Sequence, residues 1–233
     1  MLVLVSPADV QEAIESIEGG ADIIDVKNPA EGSLGANYPW VIRDIAKVVK
    51  EHGKEVSATI GDMDFKPGTA SLAAFAVASC GANYVKVGLY GVRRKDEAFK
   101  LVRAVVNAVN EFGSKVVVAG YADFRRIGSI SPLELPEVVR NAGAHGVMVD
   151  TAVKDGSRLF DHMGVEELAT FVELAHSNDL FCALAGSIQF EDIPVLKKLG
   201  ADIVGVRTAV CENGRNSKIR RELVAKLVEV ARS

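Results

Sequence analysis

The chain of 233 residues has only three cysteines, Cys80, Cys182 and Cys211, and no two of them stand at a paired spacing. That excludes a disulfide framework, and the odd count fits a reduced, cytoplasmic protein. Long apolar runs are also missing, and none approaches the ~20 residues that a bilayer helix requires. The N-terminus enters an apolar stretch at once, without the basic region or cleavage site of a signal peptide. Positive charge is not in excess: 27 Lys+Arg against 31 Asp+Glu leave a net charge of -4. Neither nucleic acid nor a membrane is therefore an expected partner. No His/Cys/Asp spacing suits a metal, and no Walker loop or serine elbow is present. His52 and His176 fall on helix surfaces, and His145 precedes a strand. What hydrophobic content there is, 48% of residues, is ample for one large core.

A pattern of the form Gly-Ala-x-x-aliphatic-x-Val recurs four times, beginning at Gly20, Gly81, Gly143 and Gly200. Counting from each glycine, positions four and six are Ile24 and Val26, Val85 and Val87, Val147 and Val149, Val204 and Val206. All eight are β-branched, as expected for strand residues packed against a layer of helices. The copies lie about sixty residues apart, twice the length of one strand-helix unit. Four further strands fit between them: Leu2–Val5, Glu55–Ile60, Lys115–Tyr121 and Phe181–Ala185. Helical spacing follows over Val10–Ile17, and over Trp40–Lys50, Ala70–Ser79, Lys95–Glu111, Pro132–Asn141, Val165–Ser177, Glu191–Leu199 and Ser217–Val230. Eight strands alternating with eight helices predict a (β/α)₈ TIM barrel, one α/β domain over residues 1–233. An open doubly wound sheet wants a glycine-rich turn after its first strand, and Val5-Ser6-Pro7 offers none.

The odd positions of the repeats face the barrel interior and carry Asp25, Lys27, Lys86, Asp150 and Arg207. Ionisable groups at the C-terminal ends of barrel strands mark an active site. A lysine there loses hydration, and both burial and a second lysine lower its pKa, giving an amine able to attack a carbonyl. Lys27 is the first candidate for that nucleophile and Lys86 for a proton acceptor. The competing reading pairs Lys27 with Asp25 or Asp150 as an ion-pair strut. The loop from Asn28 to Asn37 is long for a βα connection, which makes Glu31, Ser33 and Asn37 candidates for substrate contact. The segment after the sixth strand adds Lys154, Asp155 and His162. Gly186, Ser187, Gly205 and Arg207 fall at the loops after strands seven and eight, where barrels hold phosphate on backbone N–H groups.

These residues sit in longer stretches: DVKNPAEGSLGAN at 25–37, IGD at 60–62, KPGT at 66–69, YVKVGLYG at 84–91, AGYAD at 119–123, DTAVKDG at 150–156, LFDH at 159–162, CALAGSI at 182–188 and DIVGVR at 202–207. In them the chain resembles the (5-formylfuran-3-yl)methyl phosphate synthase family of methanofuran biosynthesis, over essentially its whole length. The resemblance implies a cytoplasmic lyase that condenses two molecules of the triose phosphate glyceraldehyde 3-phosphate into a furan phosphate. It implies a Schiff base on Lys27, proton acceptance by Lys86, and assistance from Asp25, Asp150 and Lys154. The reaction it implies involves no redox change, so no nicotinamide or flavin cofactor is expected.

Two other classes compete. One is another phosphate-binding barrel enzyme, a class I aldolase or a decarboxylase. Asp25-Val-Lys27 begins the D-x-K-x-x-D signature of the latter, but Ala30 stands where its second acid belongs. The other is a barrel that only binds a sugar phosphate. A homo-oligomer is expected, with Phe99 and Phe171 readable equally as interface or as core.

Overall fold

The computed structural model describes residues 1–233. Its strands are β1 (Leu2–Val5), β2 (Ile23–Val26), β3 (Glu55–Asp62), β4 (Tyr84–Gly88), β5 (Lys115–Tyr121), β6 (Gly146–Asp150), β7 (Phe181–Leu184) and β8 (Ile203–Val206). Each pairs in parallel with its sequence neighbours, and β8 returns to β1 with Leu2 opposite Ile203 and Val5 opposite Val206. The sheet is thus a closed (β/α)₈ barrel, which leaves no open edge. Its outer helices are α1 (Val10–Glu18), α2 (Pro39–Glu51), α3 (Pro67–Ser79) and α4 (Lys95–Val109), and then α6, α8, α9 and α10. These last four span Leu135–Asn141, Val165–Ser177, Ile193–Lys198 and Arg221–Arg232. None of them is long and apolar enough to cross a membrane.

Alternation along the strands builds two cores. The eight β-branched repeat residues all belong to the larger one, a 62-residue cluster between barrel and helices. At 4% exposure or less, each contributes roughly 1.5–3 kcal/mol by leaving water. The interior holds a second cluster of 11 residues, among them Leu4, Ile23, Tyr84, Val117, Met148 and Ile203. Above that apolar floor the inward positions become polar: Asp25, Lys86 and Asp150 are 3% exposed or less. Gly88 fills one inward position of the upper level because a Cβ there would overlap the Tyr121 hydroxyl and crowd Leu34.

The structure differs from the sequence expectation in the connections. Two short helices, α5 (Phe124–Ile127) and α7 (Leu159–His162), sit in the loops after β5 and β6. The last helix begins at Arg221, not Ser217. Residues 211–219 instead form an irregular hairpin, closed by an antiparallel bridge between Cys211 and Ile219 and by the Glu212 N–H donating to the Lys218 carbonyl at 3.0 Å. Phe171 is fully buried, whereas Phe99 on α4 is half exposed.

Candidate active site

At the C-terminal mouth of the barrel three lysines meet three different environments. Lys86, in the middle of β4, donates from Nζ to Asp25 Oδ2 at 2.6 Å. The same oxygen accepts from Ser6 Oγ at 3.0 Å, and Asp25 Oδ1 is buried without a partner. Lys154, four residues past the end of β6, donates to Asp150 Oδ1 at 2.8 Å and to Thr151 Oγ1 at 2.9 Å. Lys27 stands one residue beyond β2 and has no carboxylate within 4.0 Å; its Nζ donates only to the Ser33 carbonyl, at 3.3 Å. The ion-pair reading of Lys27 therefore does not describe this site.

The electrostatics follow from those positions. Burial pulls Lys27 down from 10.5 to about 7; Asp150 and Asp25 oppose that pull, while Lys86 and Arg215 add to it. A substantial fraction of the amine is then neutral and nucleophilic near neutral pH. Asp150 is destabilised as an anion by burial, yet the charges of Lys154 and Lys27 outweigh this and hold it well below the usual carboxylate range. Burial likewise raises Asp25, and the nearby Lys86 and Lys27 more than reverse it.

The loop after β2 closes over this layer. Leu34 inserts into the interior cluster, its N–H donating to Asp62 Oδ2 at 3.3 Å and its carbonyl accepting from Thr59 Oγ1 at 2.7 Å. Ser33 Oγ donates to the Thr151 carbonyl at 2.7 Å, which fixes the carbonyl that faces Lys27. A register shift near the end of β3 places Asp62 there, where it also accepts from the Tyr121 hydroxyl. Asp62, Tyr121 and Thr151 were not singled out by sequence; only the extra length of the loop hinted that something must brace it. Among the expected contacts, Glu31 is exposed and held by Asn28, and Asn37 donates to the carbonyls of Ala8 and Lys27. Asp155 pairs with Arg126, and His162 with Ser157. Ala30, at the position of the second acid in the decarboxylase signature, is exposed on a 3₁₀ turn.

Gly186, Ser187, Gly205 and Arg207 do line the same cavity as Lys27, Lys86, Asp150 and Lys154. Gly186 takes φ +111° and Ser187 φ +53°, the latter a left-handed conformation that costs a side-chain-bearing residue about 1–2 kcal/mol. The backbone N–H groups of Gly186, Ser187 and Arg207 donate to no protein acceptor, although such groups in buried residues are almost always paired. The Arg207 side chain behaves otherwise than expected. Its Nε donates to the Arg215 carbonyl at 2.9 Å, and its Nη1 to the Ser6 carbonyl at 2.7 Å and to Glu12 Oε2 at 2.8 Å. Nη2 donates to Glu12 Oε1 at 3.3 Å and to the Ser217 carbonyl at 3.4 Å. A guanidinium has five N–H donors, and all five are engaged, so this fork has none to offer a phosphate. Arg215, which sequence reading overlooked because residues near it read as the start of a helix, also lines the cavity.

A family model described as 4-HFC-P synthase matches residues 3–228. The chain is 62% identical to the (5-formylfuran-3-yl)methyl phosphate synthase of Archaeoglobus fulgidus, with 98% of each chain covered. It is 55% identical to the protein of that name from Methanocaldococcus jannaschii, over 100% of each chain. Among solved structures, a 3-hexulose-6-phosphate synthase superposes with a TM-score of 0.69 at 21% identity, covering 99% of each chain, a likeness of fold.

Proposed function

The chain belongs to the 4-HFC-P synthase family, and from that premise we propose that it condenses two molecules of glyceraldehyde 3-phosphate into (5-formylfuran-3-yl)methyl phosphate through a Schiff base on Lys27. One observation carries this reading: Lys27 is buried, lacks a carboxylate partner, and is pulled to about 7. Its neutral amine attacks the carbonyl carbon of one triose phosphate, giving a carbinolamine. Lys86, an ammonium on Asp25, gives a proton to the departing hydroxyl, and water leaves as the iminium forms. The amine so freed on Lys86 then removes a proton from the carbon next to the iminium, leaving an enamine.

The enamine carbon attacks the carbonyl of the second triose, forming the new carbon–carbon bond. Two C3 phosphates become a C6 monophosphate by losing one phosphate and two waters, so a β-elimination and dehydrations must follow. Asp150 with Lys154, and the unpaired Oδ1 of Asp25, are the groups placed to move protons in those steps. The free N–H groups of Gly186, Ser187 and Arg207 hold a phosphate beside the amine, and Gly205 lines the same cavity, its missing side chain giving space to Ala185 and Met148. Arg207 contributes its backbone N–H there but no side-chain donor, and its charge is paired with Glu12. The overall change is redox-neutral.

Lys27→Arg keeps the charge but removes the nucleophile. Product formation from glyceraldehyde 3-phosphate, followed by ultraviolet absorbance of the furan aldehyde, is expected to vanish in this variant. Lys86→Ala is expected to form the imine more slowly, with solvent supplying the proton for dehydration, and to stop before the carbon–carbon bond. Turnover by Lys27→Arg contradicts the Schiff base, and normal turnover by Lys86→Ala contradicts the proton role.

A further inference from the structure

Two phosphorylated trioses must be held at once, yet the inner cavity beside Lys27 has a volume of only about 20 Å³. A second cavity of about 360 Å³ opens directly outside it. The two share Lys154, Ser187, Thr208 and Arg215, and Gly156, Arg158 and Gln189 complete the outer wall. No apolar side chain and no carboxylate lines the outer cavity. Of its three cations, Lys154 is bound to Asp150 and Arg158 is bound to Asp192. Arg215 has no carboxylate within 4.0 Å, and its one hydrogen bond runs from Nη2 to the Gly32 carbonyl at 2.8 Å. Its other N–H groups are unspent. A half-buried, unpaired guanidinium facing a polar cavity is suited to an oxyanion, which it grips through two parallel N–H bonds.

We propose that Arg215 forms an outer phosphate subsite, distinct from the backbone subsite at Gly186, Ser187 and Arg207, and that it holds the phosphate of the second triose. The assignment rests on the condensation of two triose phosphates proposed above. Arg207 is the positioning residue: its Nε and Nη2 bind the carbonyls of Arg215 and Ser217, which pins the 211–219 hairpin over the mouth, while Glu12 neutralises it. The long loop after β2 completes the brace, because Gly32 is the acceptor that steadies the Arg215 fork. Arg215 is also one of the charges that lower Lys27, so it stands within electrostatic reach of the amine.

The test compares the wild-type chain with Arg215→Gln and Arg215→Lys. Calorimetric titration with inorganic phosphate is expected to give two equivalents bound by the wild type and one by Arg215→Gln, with Arg215→Lys binding the second more weakly. Two equivalents in Arg215→Gln, or fewer than two in the wild type, overturn the subsite. In kinetics, at a pH above the Lys27 midpoint of both proteins, so that the amine is neutral in each, borohydride trapping of glyceraldehyde 3-phosphate on Lys27 is expected to half-saturate at the same concentration in wild type and Arg215→Gln. The KM for turnover rises at least tenfold in Arg215→Gln and recovers partly in Arg215→Lys. Trapping weakened in step with turnover would mean that Arg215 serves the first triose, which also overturns the proposal. If Lys27 traps nothing in the wild type, the Schiff base fails, and the phosphate count still decides the role of Arg215.

Discussion

Lys27, Lys86 and Lys154 carry the same functional group, and their neighbours set them in different environments. A lysine held on a carboxylate keeps its proton close to that acceptor, as Lys86 does on Asp25 and Lys154 on Asp150. Lys27 has only a carbonyl, and burial strips its hydration. Imine formation requires the neutral amine, so its rate should fall as pH drops below about 7, the value to which Lys27 is pulled. The signs of the neighbouring charges predict how variants move that midpoint. Lys86→Met removes a positive charge and leaves Asp25 bare, so the midpoint rises. Asp150→Asn removes a negative charge and leaves Lys154 bare, so it falls. Pre-steady-state rates of borohydride-trappable adduct across roughly pH 5–9, about two units either side of the value to which Lys27 is pulled, read both. Midpoints unmoved in both variants would mean that these charges do not set the reactivity of Lys27. Lys27 and Lys86 were legible in sequence from their odd repeat positions, and Lys154 only as a member of the polar segment after the sixth strand. Their pairing was not, because a repeat pattern gives the face of a strand but not which neighbour lies within hydrogen-bond reach.

The elements that present the site are the connections after β2, β6, β7 and β8. At the end of β7, Gly186 at φ +111° turns the chain so that its own N–H and that of Ser187 remain unpaired. A Cβ there would stand 3.1 Å from Thr151 Cγ2 and 3.2 Å from Thr151 N, in a backbone region that side-chain-bearing residues avoid. Gly186→Ala is therefore expected to distort this turn, raising KM about tenfold or more while the circular dichroism spectrum stays that of the barrel. An unchanged KM would remove the turn from phosphate binding. Glycine and serine at this strand end were readable as a turn at the mouth of the barrel. The hairpin at 211–219 was not, since Ser217-Lys-Ile-Arg continues smoothly into the helical pattern of α10. What stops the helix is a tertiary contact, the Arg207 fork on the carbonyls of Arg215 and Ser217. Short α5 and α7 escaped for a related reason: four residues are too few to display a period.

For the molecule as a whole, the closing seam is the informative place. β1 and β8 join the two ends of the chain, and the Arg207–Glu12 pair bridges them just above the seam with both side chains 4% exposed or less. Breaking a buried pair by removing one partner leaves a desolvated charge and costs about 3–5 kcal/mol. Glu12→Ala is thus expected to lower stability by about that amount in urea unfolding. A loss below ~1 kcal/mol would show that the pair is no more than a surface bridge. The barrel itself was legible because one Gly-Ala-x-x-aliphatic-x-Val repeat marks every second strand, and alternation then separates the outer core from the polar interior. Arg207 fell on the correct face, and its role differed because Glu12, nearly two hundred residues away in sequence, claims the fork.

The central claim is that Lys27 bonds covalently to the substrate. Incubation with glyceraldehyde 3-phosphate and borohydride, followed by peptide mass mapping, tests it most directly. The account predicts a reduced triose-phosphate adduct on Lys27, absent from Lys27→Arg. An actively turning-over chain with no adduct, or an adduct confined to Lys86 or Lys154, would contradict it.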